Sequence, residues 1–364
     1  MRIVSIVGAR PQFVKLAPIV RACDRAGVDH VIVHTGQHYD PLLSDIFFSE
    51  LGIPAPHQNL GVGSGTQATQ TAHMLEALGH CLPGLNPDWV LVFGDTNSTV
   101  AAALAAVKLH LRVAHLEAGL RSFDRRMPEE INRVLTDHAA DLLLAPTQVA
   151  ADHLTTEGLR ERTRIVGDVM TDVLLHQRNQ IVTDQIPSSV GSKFNLADGT
   201  YTIATIHRAE NTDDPTRLAA IVECLRRVDH PVVLLAHPRL VARAEAAHVA
   251  LSGGSLLTHP PLGYRELVAS VMRSRGVITD SGGLQKEAFL LRVPTTTVRP
   301  VTEWVETVQL GWNVLVEPGA ELLAAATRPR PAPVEAAPYG YGHAAQRVIE
   351  VLAEENTSSS FYTA

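Results

Sequence analysis

Apolar residues in this chain fall in short runs rich in valine, isoleucine and leucine, separated by stretches where they recur at helical spacing. Residues 3–7, 31–33, 89–93, 113–116, 141–145 and 164–166 read as strands. Residues 201–206, 231–236, 256–258, 277–279 and 295–298 read as a second set. Strands alternating with helices predict parallel sheets joined by right-handed crossovers, an α/β architecture of doubly wound type. The rhythm lapses over 176–199, where Pro187-Ser188-Ser189 and Gly191-Ser192 stand close together, so this stretch reads as a link. The expected domains are 1–172 and 173–343. A helix over 344–356 is expected to pack back on the first domain, and the Ser/Thr-rich 357–364 to be a disordered tail.

The strand 89–93 ends at Gly94-Asp95-Thr96, a helix follows over 99–109, and the strand 113–116 stops at Glu117. Such a unit sets Asp95 and Glu117 at the carboxyl ends of two parallel strands, on the sheet edge where α/β folds bind ligands. Next come Arg121, Arg125 and Arg126, and then Pro128-Glu129-Glu130 opens another helix. Taken singly, Asp95 has an ordinary explanation as an N-cap, and Glu129 and Glu130 as first-turn acids facing a helix dipole. Glu117 has none, because it precedes Ala-Gly rather than a helix.

Two strand-to-helix turns add candidate anion sites. Arg10 and Lys15 flank the helix start after Gly8-Ala9, where free N–H groups and the dipole favour an anion. That turn is not GxGxxG, so it does not support a nicotinamide or flavin cofactor. In Asp280-Ser281-Gly282-Gly283 the Ser281 hydroxyl and the Gly282 and Gly283 N–H groups could cradle a phosphate, with Glu287 on sugar hydroxyls. His207 and Arg208 end the strand 201–206, where His207 could bind phosphate or transfer a proton. A cap or a surface charge is the plainer reading of each alone; two such turns, one per half and expected to face a shared cleft, favour a site. His34 and His38 are separated by Thr-Gly, which breaks helical zinc-site spacing, and no third ligand is evident, so no metal is expected. His115 and His237 are left without a role.

Length and composition narrow the classes. A chain of 364 residues accommodates two domains, and 45% hydrophobic with 19% charged residues excludes wholesale disorder. A net charge of −7 argues against a nucleic-acid partner. Cys23, Cys81 and Cys224 contain no CxxC, which fits a reducing, cytoplasmic setting without disulfides. The opening MRIVSIVGARP reads as a first strand rather than a secretory signal, and no apolar stretch is long enough to cross a membrane.

GARPQFVK, TGQHYD, VFGDTNST, AHLEAGLRSFDRRMPEEINR, IHRAEN, DSGGLQKEA and TEWVETVQLGWN, in this order from Ile3 to about Leu352, resemble the non-hydrolysing UDP-N-acetylglucosamine 2-epimerases. The resemblance implies two Rossmann-like domains in the fold shared with many glycosyltransferases (GT-B type), a UDP-sugar substrate, no redox cofactor and no essential metal. A homodimer is expected. It implies Asp95, Glu117 and Glu129 (rather than its neighbour Glu130) as acid/base groups, with Arg10, Lys15 and His207 around the diphosphate and Arg208 as a further substrate-binding candidate. Ser281, Gly282, Gly283 and Glu287 would hold UDP. Gln37 and His38 match a region that in some members contributes to a second, regulatory UDP-sugar site. The implied route eliminates UDP to a glycal and re-adds it after proton delivery to the other face. Other readings are a branch acting on UDP-2,3-diacetamido-2,3-dideoxyglucuronate, whose carboxylate Arg125 and Arg126 could receive, a UDP-sugar glycosyltransferase, and a non-catalytic UDP-sugar sensor.

Overall fold

The structure, a computed structural model, describes residues 1–37 and 51–359, except for the side chains of Arg10, Ser358 and Ser359. The chain forms two compact units, Met1–Val173 with Ala337–Ala364, and Leu174–Ala336.

In the first unit β1 (Arg2–Val7), β2 (Asp29–His34), β3 (Gln58–Asn59), β4 (Trp89–Phe93), β5 (Val113–Leu116), β6 (Leu142–Ala145) and β7 (Thr163–Ile165) pair in parallel. Their order is β3-β2-β1-β4-β5-β6-β7. Side chains alternate across the sheet: Ile3 and Val7 pack on one face, Val4 and Ile6 on the other, all fully buried. The first face is covered by helices Arg10–Ala26 and Ala344–Ser359, which supply Leu16, Val348, Ile349 and Leu352. On the second face the alanine-rich helix Asn97–Lys108 packs between helices Gln67–Leu85 and Pro128–Ala139, its buried Ala101, Ala102, Ala105 and Ala106 allowing close approach.

The second unit repeats the plan. Here β8 (Thr202–Thr205), β9 (Val232–Leu235), β10 (Leu256–His259), β11 (Gly276–Thr279), β12 (Thr295–Thr297) and β13 (Asn313–Leu315) form a parallel sheet ordered β10-β9-β8-β11-β12-β13. In both sheets the strand order reverses beside the first strand, between β1 and β4 and between β8 and β11. The crevice beyond the carboxyl ends of those strands is the ligand position of an open α/β sheet.

The stretch 176–199 is no structureless link. Helix Val169–Thr183 runs into it and helix Ser189–Phe194 follows. Pro187-Ser188 is a helix start, since the Ser188 hydroxyl accepts from Gly191 N (2.9 Å) and Tyr201 Oη (2.7 Å). The final helix also runs past Asn356 to Ser359, its last turn closed by Thr357 Oγ1 donating to Glu354 O (2.8 Å). Residues 360–364 of the expected disordered tail lie outside the described residues. Trp89 Nε1 donates to Leu352 O (3.1 Å) and so ties that helix to the centre of the first sheet. Among the described residues no helix is long and apolar enough to cross a membrane.

Candidate active site

Asp95 follows β4 through Gly94, and Glu117 follows the neighbouring β5. The N-cap of helix Asn97–Lys108 is Thr96, whose side chain accepts from Thr99 N, so capping does not account for Asp95. Glu117 has φ +74°, a left-handed backbone that costs a non-glycine residue roughly 1 kcal/mol or more. Its N–H donates to Leu144 O (3.1 Å) and its carboxylate is paired with Lys15 Nζ. Both side chains are largely enclosed, 13% and 14% exposed. Gly94 makes room for the pair, because a Cβ there would stand 3.0 Å from Lys15 Nζ and 3.1 Å from Glu117 Oε2. Burial pulls the Lys15 ammonium down, but Glu117, Asp95 and Asp168 outweigh it and hold the group above its ordinary value. Lys15 is thus a counter-ion of Glu117 rather than a free cation at a helix start.

The turn after β1 is also more self-contained than expected. Gly8 N and Ala9 N both donate to Gln12 Oε1 (2.8 and 3.0 Å), and Gln12 Nε2 donates to Phe93 O (3.0 Å). These N–H groups are engaged within the chain and are not offered to an anion. Gln37 is engaged in the same way: its Oε1 accepts from Ser98 N (3.0 Å) and Ser98 Oγ (2.7 Å), at the start of helix Asn97–Lys108. The Arg10 side chain and His38 lie outside the described residues.

Helix Pro128–Ala139 turns one face inward, and Glu130, Arg133 and Asp137 share it at helical spacing. Glu130 accepts from Ser122 N (2.9 Å), Ser122 Oγ (3.0 Å), Phe123 N (3.0 Å) and Arg133 Nη1 (3.0 Å). Burial raises this carboxyl, yet the donors outweigh burial and hold it below the ordinary value. Arg133 Nη2 donates to Asp95 Oδ2 at 2.6 Å. Asp137, fully buried, accepts from His115 Nδ1 (2.6 Å), Arg121 Nη1 (2.7 Å) and Gly119 N (3.1 Å). The other nitrogen of His115, Nε2, donates to Gly94 O (2.7 Å). Glu130 is saturated by these donors, whereas its neighbour Glu129 is exposed. Arg126 is tied to Asp124 through Nε (2.9 Å) and Nη2 (2.7 Å), while Arg125 is exposed.

In the second unit, Asp280 ends β11 fully buried and accepts from His207 N (3.0 Å), Arg208 N (2.9 Å) and Asn211 Nδ2 (3.0 Å). Its Oδ1 also lies 3.1 Å from His207 Nδ1. Burial acts to raise Asp280, but these donors prevail and hold it below the ordinary carboxylate value. The β8 and β11 turns are thereby locked together, which brings His207 and Arg208 beside Ser281. Ser281 is the N-cap of helix Gly282–Leu290. Gly282 admits a close neighbour, but the neighbour is Glu303, whose carboxylate a Cβ at 282 would strike; at Gly283 the space is open. Glu303 Oε2 is in turn held by Arg299 Nη1 (3.0 Å).

Burial pushes the Glu287 carboxyl up to about 7, with Tyr264 and Lys286 opposing. A carboxyl raised in the folded state supports folding fully below its unfolded value, near 4.5, and that support is lost as pH rises through about 7. Glu287→Gln is therefore expected to gain stability over the parent by ~2–3 kcal/mol between pH 5 and pH 8, read from denaturant unfolding at both pH values. An equal difference at the two pH values would refute it.

Sequence reasoning gave no role to Arg133, Asp137 and Asp280, which act through other residues, although Arg133 and Asp280 stand inside the motifs AHLEAGLRSFDRRMPEEINR and DSGGLQKEA. Among the described residues no group of three or more His, Cys, Asp or Glu side chains could hold a metal ion. A family model described as UDP-N-acetylglucosamine 2-epimerase matches residues 21–353. A UDP-N-acetylglucosamine 2-epimerase homolog of Methanococcus maripaludis is 44% identical, over 97% of this chain and 99% of that protein. The UDP-2,3-diacetamido-2,3-dideoxy-D-glucuronate 2-epimerase of Pseudomonas aeruginosa is likewise 44% identical, over 97% of this chain and all (100%) of that protein. The crystal structure of Methanocaldococcus jannaschii UDP-GlcNAc 2-epimerase in complex with UDP-GlcNAc and UDP superposes with a TM-score of 0.80 at 39% identity, covering 97% of this chain and 100% of that one.

Proposed function

The chain belongs to the UDP-N-acetylglucosamine 2-epimerase family, and from that premise we propose that it interconverts UDP-N-acetylglucosamine and UDP-N-acetylmannosamine by eliminating and re-adding UDP. The observation that carries the reading is the pair of carboxylates at the ends of adjacent strands, Asp95 and Glu117, held by the largely enclosed cations Arg133 and Lys15. The hydrogen on sugar carbon 2 is barely acidic. It becomes removable when the bond from carbon 1 to the UDP oxygen breaks as the proton leaves, because positive charge developing at carbon 1 acidifies it. One carboxylate takes that proton, the glycal forms with UDP as leaving group, and a second carboxylate returns a proton to the opposite face as UDP re-adds. Inversion needs acid/base groups on both faces, for which Asp95, Glu117 and Glu129 are the set.

The departing diphosphate gathers negative charge, and donors aimed at it stabilise the transition state. His207, Arg208, Ser281 and the Gly282 and Gly283 N–H groups serve that purpose, with Glu287 on the ribose. Lys15 holds the Glu117 carboxylate in place through their ion pair. The enzyme works as a cytoplasmic homodimer supplying surface-polysaccharide synthesis.

Product formed in heavy water, with no nicotinamide added, is expected to carry deuterium at carbon 2. An epimer free of solvent label would overturn the route. A second reading, epimerisation of the diacetamido uronate, is favoured by the Pseudomonas relative and by the exposed Arg125. A bidentate Arg–carboxylate contact would discriminate strongly between the two sugars. Offering both UDP-sugars to the purified protein and following carbon 2 by proton NMR separates the readings. Turnover of the uronate alone would sink the first and leave the mechanism in place.

A further inference from the structure

Arg133 touches two carboxylates with different jobs. Its Nη2 donates to Asp95 Oδ2 (2.6 Å) and its Nη1 to Glu130 Oε2 (3.0 Å). The guanidinium is 16% exposed and Glu130 4%, whereas Asp95 is open at 30%. The preceding residue works on the same target, since Asn132 Nδ2 donates to Asp95 O (2.9 Å) and approaches Asn97 Oδ1 (3.3 Å). Asp95 is therefore gripped at its carbonyl and at its carboxylate by consecutive residues of one helix. Glu130 is in turn fixed by Ser122 and Phe123, so Arg133 has one end anchored to a rigid acceptor and the other on Asp95.

Building on the epimerase reading, we propose that Arg133 is a positioning residue for the reaction: it sets the rotamer of the Asp95 carboxylate and leaves that group's second oxygen aimed outward for proton exchange. A planar fork suits the task, because its two nitrogens meet the two acceptors at a fixed separation. A lysine supplies one ammonium that cannot reach both in the same geometry. The bond between Asp95 Oδ2 and Arg133 stops the side chain turning about its last torsion, which is otherwise broad. Proton transfer at carbon 2 then starts from a single arrangement, and a misplacement of the order of an ångström costs up to ~10²-fold in rate.

The test compares the full-length parent with Arg133→Lys, Arg133→Met and Arg133→Ala. Turnover, KM, UDP affinity by calorimetry and thermal midpoint are read for each. The primary isotope effect on substrate deuterated at carbon 2 is read as well. The expected result is a fall in kcat of ~10–100-fold in Arg133→Met, with Lys intermediate and UDP affinity within about threefold of the parent. The isotope effect should rise as proton transfer becomes rate-limiting, and added guanidinium should restore part of the lost rate in Arg133→Ala. Unchanged kcat in Arg133→Met overturns the inference. So does a loss of rate that tracks the thermal midpoint, with no change in isotope effect and no rescue, since that marks a purely structural role. A parent protein that releases no epimer would instead overturn the functional reading, and the inference with it.

Discussion

Asp95→Asn and Glu117→Gln are expected to lower turnover by ~10²–10⁴-fold while UDP still binds. Each substitution keeps the shape of the side chain and removes its ability to accept and release a proton. The structure makes the two cases differ in a useful way. Asp95→Asn leaves Arg133 with Glu130 as a charged partner, so the fold around it is retained. Glu117→Gln leaves Lys15 enclosed beside a neutral amide, and unfolding should occur at lower denaturant in this variant than in Asp95→Asn. Epimer formation by NMR and UDP binding by calorimetry read the two effects separately. Normal turnover in Asp95→Asn would reduce this aspartate to a turn residue. Loss of UDP binding in parallel with turnover would move it from chemistry to ligand recognition.

The largest effect on stability is expected from Asp137→Ala, about 3–5 kcal/mol, measured as a lower denaturant midpoint with an unchanged slope. This one carboxylate receives His115, Arg121 and Gly119, and through them it holds the turns that carry Asp95 and Glu117. Removing it leaves the Arg121 guanidinium, 1% exposed, with Glu157 as its remaining carboxylate. Burial raises Asp137, but His115 and Arg121 prevail and hold it below its ordinary value of 3.8. A carboxyl lowered in the folded state supports folding above its unfolded value, and that support is lost as pH falls below it. The parent should therefore weaken on acidification below about pH 4, and Asp137→Ala should weaken less, because the part of the loss due to Asp137 is gone while that due to Glu130 and Asp280 remains. Equal acid sensitivity in the two proteins would contradict this account.

Much of this was legible from residue patterns because the buried strands are nearly continuous apolar runs ending at glycine or acid. Trp89–Phe93 and Val113–Leu116 have the bounds expected of them, and the outward position of Asp95 and Glu117 follows from those two strands alone. β3 escaped notice because Gln58–Asn59 carries no apolar residue, and β13 because Asn313–Leu315 follows a turn within a longer mixed segment. Helix Ser189–Phe194, inside the stretch read as a link, escaped notice for a related reason: Pro and Ser mark a helix start as readily as a loop. At the site, sequence pointed to candidate groups but not to their partners. That Gln12 occupies the Gly8 and Ala9 N–H groups, or that Lys15 pairs with a residue a hundred positions away, depends on long-range geometry. Local spacing contains no signal for either.

The bond from Trp89 to Leu352 has a consequence for how the molecule is made. The helix Ala344–Ser359 completes the first unit, yet the ribosome delivers it after the whole of Leu174–Ala336. Until it emerges, the face bearing Ile3, Leu16 and Trp89 lacks its cover from Val348, Ile349 and Leu352, and a nascent chain presents that apolar surface to its surroundings. The second unit is synthesised in full before the first, the reverse of the usual amino-to-carboxyl order of domain completion. The helix Ala344–Ser359 thus decides when Asp95 and Glu117, encoded far upstream, acquire a finished scaffold.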